Sequence, residues 1–210
     1  MKKDFWSAQM IARIGVLSAL SAILYWIPGL VIIAPFYKLD FSSIPAVFAG
    51  FAMGPMAALL VTLIKNLTGI LHSSSGAMGQ LADFIMSGTY AVVAALIYQK
   101  YRSTGRTALP LIGGTLAMVL ISAPANAWVV VPVYSWLLNM SVETIVGAIN
   151  ASLQAMGELV GITMPVVDSL WKMIVMATLP FTLFKGVVLS IIIALLYRYC
   201  KPLLGDKGGK

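Results

Sequence analysis

From Ile14 to Tyr37 the chain carries no charged side chain, and the same holds from Phe41 to Ile64, Asn66 to Ala82, Phe84 to Gln99 and Thr107 to Val142. Near the C-terminus only Lys185 interrupts the run from Met173 to Tyr197. Several of these stretches meet or exceed the roughly 20 residues needed to cross a hydrocarbon core about 30 Å thick. A backbone in lipid must bond to itself, so such runs fold as helices. The composition agrees: of 210 residues, 60% are hydrophobic and only 10% charged. The expectation is an all-α integral membrane protein, one domain over residues 1–210, with 1–7 and 201–210 as cytoplasmic tails.

The net charge of +7 could suggest nucleic acid, but the bases are unevenly placed. Lys2, Lys3 and Arg13 precede the first span, Lys100, Arg102 and Arg106 share a short loop, and Arg198, Lys201, Lys207 and Lys210 follow the last span. None lies between Arg106 and Lys172, where Glu143, Glu158 and Asp168 fall. That asymmetry is the positive-inside pattern and sets orientation; no nucleic-acid partner is expected. One cysteine, Cys200, excludes a disulfide within the chain. Arg13 breaks the first apolar run too early for a signal peptide, so it reads as a retained helix.

Six spanning helices with both termini cytoplasmic satisfy every basic cluster. They are expected at about Ala8–Trp26, then "SSIPAVFAGFAM", Pro55–Leu71, Gln80–Tyr101, Leu109–Val131 and Leu170–Tyr199. Pro28, Gly29 and Pro35 forbid a helix in the first outer loop, and Asp40 or Ser42 can cap the helix after it. Between helices five and six, Ile145, Ile149, Leu153 and Val160 recur mostly at helical spacing among polar residues, predicting an amphipathic helix over the outer face.

Polar groups at membrane depth carry the functional signal. Lys185, Lys65 with Asn66, Asp83 with Gln80, and Asn126 come from four different helices, mostly toward the outer leaflet. A charge at the bilayer centre costs roughly +2.5 to +3.5 kcal/mol on an insertion scale, so such residues normally face a bundle interior and pair there. For Lys185 the sequence leaves ligand contact or a helix-tying ion pair with Asp83; for Asn126, ligand contact or a packing amide. Asp40 is equally a cap or a site residue. Tyr37, Trp128, Tyr134, Trp136 and Trp171 gather on the outer side, either as membrane-belt anchors or as faces for a flat heteroaromatic ligand. His72 has no second histidine or cysteine at metal spacing. No metalloprotease, hydrolase or nucleotide-loop motif is found, so neither catalysis nor a cofactor is expected. Finally, Ala8, Ala12, Gly15, Ala19 and Ala22 form a small-residue seam on helix one, suited to internal packing or to close approach of a partner's helix.

Four blocks in order, "YKLDFSSIPAVFAGFAMGPMAALLVTLIKNL", "SSGAMGQLADF", "NAWVVVPVY" and "LPFTLFKG", resemble the riboflavin-binding substrate components of energy-coupling factor transporters. The resemblance implies a six-helix subunit of the prokaryotic cell membrane that captures riboflavin or a related flavin at its outer face. It also implies docking on a transmembrane coupling protein with two ATPase subunits. Tyr37, Lys38, Leu39 and Asp40 would line or cover the pocket, and Asn126 and Lys185 would bond the polar edge of the ring. Lys65, Asn66, Gln80, Asp83, Trp128 and Thr182 complete the expected ligand set, Gln80 and Thr182 standing where the family has an acid and an amide. The seam on helix one would face the coupling protein. Rival readings are a substrate component for another vitamin such as thiamine, and a self-sufficient carrier or channel.

Overall fold

An apolar sequence with few helix breakers gives long helices here; Gly54–Pro55 separates two of them, whereas Pro124, Pro132 and Pro180 lie inside continuous helical stretches. The computed structural model describes residues 7–27, 30–33, 37–71, 78–102 and 107–200. His72, the tails and part of the basic loop (103–106) lie outside the described residues. Helix α1 spans Ala8–Trp26, its start capped by the Ser7 hydroxyl, which accepts from the Met10 amide. Two strands follow, β1 (Leu30–Ile33) and β2 (Tyr37–Leu39), then α2 (Ser43–Met53), α3 (Pro55–Ile70) and α4 (Met78–Lys100). Helix α5 (Ala108–Ala125) runs through a π-helical turn (Asn126–Val130) into α6 (Val131–Leu138). After α7 (Val142–Val160), the short α8 (Leu170–Met173) passes through a second π turn (Ile174–Thr178) into α9 (Leu179–Cys200).

Among the described residues, four helical stretches are long and apolar enough to cross a membrane: Ala8–Trp26, Gly79–Lys100, Ala108–Leu137 and Leu170–Cys200. Helices α2 and α3, at 11 and 16 residues, are apolar but shorter. They form a helical hairpin whose turn requires glycine, since Gly54 sits at φ +107° and a β-carbon there would lie 2.8 Å from Gln99 Nε2. The 11 residues of α2 reach only roughly 16 Å. A β-hairpin and the Asp40–Ser42 link precede it in the chain.

That hairpin departs from the all-α expectation. It is antiparallel, pairing Leu30 with Leu39, Val31 with Lys38 and Ile33 with Tyr37, with a register shift between Val31 and Ile33. The β-branched run Val31–Ile33 favours an extended chain, and the neighbouring prolines deny it a helix. Asp40 is not the cap of α2 either. Ser42 holds that position, and its amide and hydroxyl both donate to Asp40 Oδ1.

The helix expected over Leu109–Val131 continues to Leu138. At both π turns the peptide N–H bonds five residues back, Val131 to Asn126 and Leu179 to Ile174. Pro132 and Pro180 follow directly. Looser π bonding accommodates residues that bring no N–H of their own.

Two cores divide the molecule. One gathers Ile14, Val47, Phe51, Val61, Tyr98, Leu111, Ile193 and Tyr197. In it Phe51 stacks on Tyr98 at 4.1 Å, and Tyr98 and Tyr197 share a hydrogen bond of 2.9 Å that joins the C-terminal ends of α4 and α9. The other core lies beneath the amphipathic helix, α7. Ile145, Ile149 and Leu153 pack on Tyr37, Ala127, Val131, Met173 and Ala177, as the spacing predicts, whereas Val160 is exposed. Ser141 caps α7, and Gly161 at φ +73° ends it. The returning strand of chain is held by Asn150, whose Oδ1 accepts from the Val167 amide at 2.8 Å.

Candidate functional site

Between the two cores the helix ends splay around a cavity of about 840 Å³. Its walls come from the C-terminal ends of α1 and α3, the N-terminal half of α4, the first π turn with α6, α8, the start of α9, β2 and α7. It lies at the end of the bundle away from the Tyr98–Tyr197 contact. Cavities of this size suit a drug-sized solute.

One wall is charged. Lys185, nine-tenths buried, donates to Asp40 Oδ2 at 2.9 Å and to Asp83 Oδ1 at 3.2 Å. Asp83 Oδ2 meets Lys65 Nζ at 2.8 Å. The effective cost of burying an ion, several kcal/mol each, is thereby offset within a set of two acids and two lysines. The sequence foresaw an Asp83 partner for Lys185; Asp40 as the second partner only the folded chain reveals. Asp40, Asp83 and Lys185 line the cavity, while Lys65 and Asn66 are buried behind that wall, Asn66 Nδ2 donating to Asp83 Oδ2 at 3.1 Å.

Facing this wall, Asn126 sits in the first π turn and donates to the Ser122 carbonyl at 2.8 Å. Asn126 and Thr182 are both buried and both line the cavity. Gln80 lines it too, its Nε2 held by the Gly69 carbonyl at 3.1 Å. Lys38 reaches the Tyr25 carbonyl at 3.3 Å and lies 5.4 Å from the centre of the Tyr25 ring, a cation–π contact. Tyr37 Oη lies 2.6 Å from Thr178 Oγ1, tying the hairpin to the second π turn. Burial pushes the Tyr37 phenol up to about 12, so it remains a neutral hydroxyl.

The apolar faces are aromatic. Tyr25, Trp26, Tyr37, Tyr134 and Phe181 line the cavity, Tyr37 and Phe181 with ring centroids 5.1 Å apart. Of the outer aromatics named from sequence, Tyr37 and Tyr134 reach it. Trp128 does not: it is 74% exposed, and Trp136 and Trp171 likewise point outward, as belt anchors do. Leu39 is buried but outside the lining. Sequence reasoning missed Tyr25, Trp26 and Phe181, and also Ile145 and Ile149 of α7, which face the cavity as well as the core. The only hint was an aromatic pair closing α1, because an uncharged residue in an apolar run gives no signal of which side it faces.

On α1 the buried residues are Ile14, Ser18 and Ser21. Ala8, Ala12, Gly15 and Ala19 are exposed and Ala22 is half-buried, and nothing lies within 4 Å of a β-carbon built on Gly15. The seam is therefore not consumed by packing inside the bundle.

The family described as ECF transporter, substrate-specific component, matches residues 9–197. A riboflavin transporter RibU of Staphylococcus aureus is 30% identical over 198 residues, covering 94% of this chain and 93% of the relative. A riboflavin transporter FmnP of Bacillus subtilis is 29% identical, covering 83% and 80%. Among solved structures, one reported as the S component of a bacterial ECF transporter aligns with a TM-score of 0.68 and 28% identity, covering 93% of this chain and 97% of that one.

Proposed function

The chain belongs to the substrate-specific components of ECF transporters, and on that premise we propose that its cavity captures riboflavin from the outer face of a prokaryotic cell membrane. The observation that carries this reading is the convergence of Lys185, Asn126 and Thr182 with five aromatic side chains on one cavity of about 840 Å³. A planar tricyclic solute needs apolar faces for its rings and fixed donors for its carbonyl edge. The aromatic residues supply the first, Lys185 and Asn126 the second. Capture here is binding, without catalysis by this chain, and riboflavin is cargo rather than cofactor.

The same reading makes the chain one domain crossing the membrane six times, with α2 and α3 as the two short crossings and both termini cytoplasmic. Lys100 and Arg198 then lie on the inner side and the cavity opens outward. The exposed seam of Ala8, Ala12, Gly15, Ala19 and Ala22 is the docking face for a transmembrane coupling protein carrying two ATPases. Against a self-sufficient channel stands the packing of the inner end, where the rings of Phe51, Tyr98 and Tyr197 lie against one another.

Protein purified in detergent is expected to carry a yellow, flavin-absorbing ligand and, once stripped, to quench riboflavin fluorescence at stoichiometric ratio. Saturable binding of thiamine with no flavin quenching would overturn the assignment.

A further inference from the structure

Lys65 is fully buried and does not line the cavity, yet it belongs to a closed circuit with three residues that do. Its Nζ lies 2.8 Å from Asp83 Oδ2. Asp83 Oδ1 lies 3.2 Å from Lys185 Nζ, which in turn lies 2.9 Å from Asp40 Oδ2. Asp40 Oδ1 accepts from the Ser42 hydroxyl, and that hydroxyl accepts from Lys65 Nζ at 2.7 Å, closing the ring. Charges alternate around it, two positive and two negative, with one hydroxyl between. Its members come from α3, α4, α9 and the link between β2 and α2.

The donor count shows what the ring leaves for a ligand. Asp83 Oδ1 accepts from Lys185 and from Ser87 Oγ at 2.7 Å; Asp83 Oδ2 accepts from Lys65 and from Asn66 at 3.1 Å. Asp40 Oδ1 takes both the amide and the hydroxyl of Ser42. An ionised carboxylate has about four acceptor sites, so Asp83 is saturated. The Lys185 ammonium has three donors, of which the two acids take two. This wall therefore offers the cavity a donor, and Asp83 has no acceptor to spare.

Resting on the flavin-capture reading, we infer that Lys65 is a positioning residue: by saturating Asp83 from behind, it keeps the Lys185 ammonium centred between two acids with its third N–H turned to the ligand's carbonyl edge. Without Lys65, Asp83 Oδ2 keeps only the Asn66 amide and the ring carries a net negative charge. Asp83 then competes with the ligand for the Lys185 donors.

The test is a double-mutant cycle on the full chain in detergent, read by riboflavin fluorescence quenching, with circular dichroism and thermal melting to report folding. Lys65→Met is expected to weaken binding about tenfold or more, and to cost less than about threefold when Asp83 is already Asn, because the two residues act through one contact. Lys65→Gln, which keeps hydrogen bonding but not the charge, repeats the measurement if the Met variant fails to fold, with the same loss expected. Equal losses in both backgrounds, or wild-type affinity in a folded Lys65 variant, would overturn the inference. A wild-type protein that binds no riboflavin removes the functional reading, and this inference with it, before any variant is compared.

Discussion

At the scale of single residues, the charged wall explains why a cation is tolerated in the middle of an apolar span. Lys185 is held by Asp40 at 2.9 Å and Asp83 at 3.2 Å, so its burial is shared among four charges rather than borne alone. Removing one member of a buried set costs more than the set contributes, because the partners stay behind unpaired. Lys185→Met is therefore expected to insert and fold, to lower the unfolding free energy by about 3–5 kcal/mol, and to weaken flavin binding about a hundredfold or more. Thermal melting and quench titration on one preparation read both effects; unchanged affinity would remove Lys185 from the site. The opposite outcome is expected for Trp128→Ala. That ring is 74% exposed and outside the cavity, so affinity should stay within about twofold of wild type.

At the scale of elements, close helix contact depends on missing side chains. Where α5 crosses α4, a β-carbon on Gly114 would lie 2.8 Å from the Tyr90 carbonyl oxygen and 3.0 Å from Ala94 Cβ. Backbone cannot yield as a flexible side chain does, so the two helices must part. Gly114→Ala is expected to destabilise the protein by about 1–3 kcal/mol, measured as a lowered melting midpoint in detergent. Beside this contact a hydroxyl chain ties α9 to both helices, Tyr90 to Ser190 at 3.0 Å and Ser190 to Thr115 at 3.1 Å, which satisfies these polar groups internally. The two π turns serve the cavity instead. The first places Asn126 in its wall, and the second anchors the hairpin through Thr178 and Tyr37.

At the scale of the whole molecule, one end packs around Phe51, Tyr98 and Tyr197 and the other holds the cavity, which suits the proposed capture subunit. The proposed partner meets it along α1, whose small residues face outward while Ile14, Ser18 and Ser21 face inward. Ala12→Leu combined with Ala19→Leu is expected to leave riboflavin quenching unchanged and to abolish co-purification with the coupling protein. Retained co-purification would place the docking face elsewhere.

The sequence by itself determined the helical membrane character, the ends of α1, the amphipathic α7, and the polar set Lys65, Asp83, Asn126 and Lys185. Each follows from a cost that acts locally: charge in hydrocarbon, proline in a helix, apolar spacing at 3.6 residues. The hairpin was half legible, since Pro28 and Pro35 excluded a helix without specifying strands. Tertiary structure alone decided which way uncharged side chains face, which is why Trp128 points outward while Tyr25, Trp26 and Phe181 enter the cavity. It alone decided the ring as well, because Asp40 and Lys185 are 145 residues apart and only the packing of four elements brings them to 2.9 Å. In an apolar sequence the pattern reports the cost of each residue, whereas a partner exists only once separate helices have met.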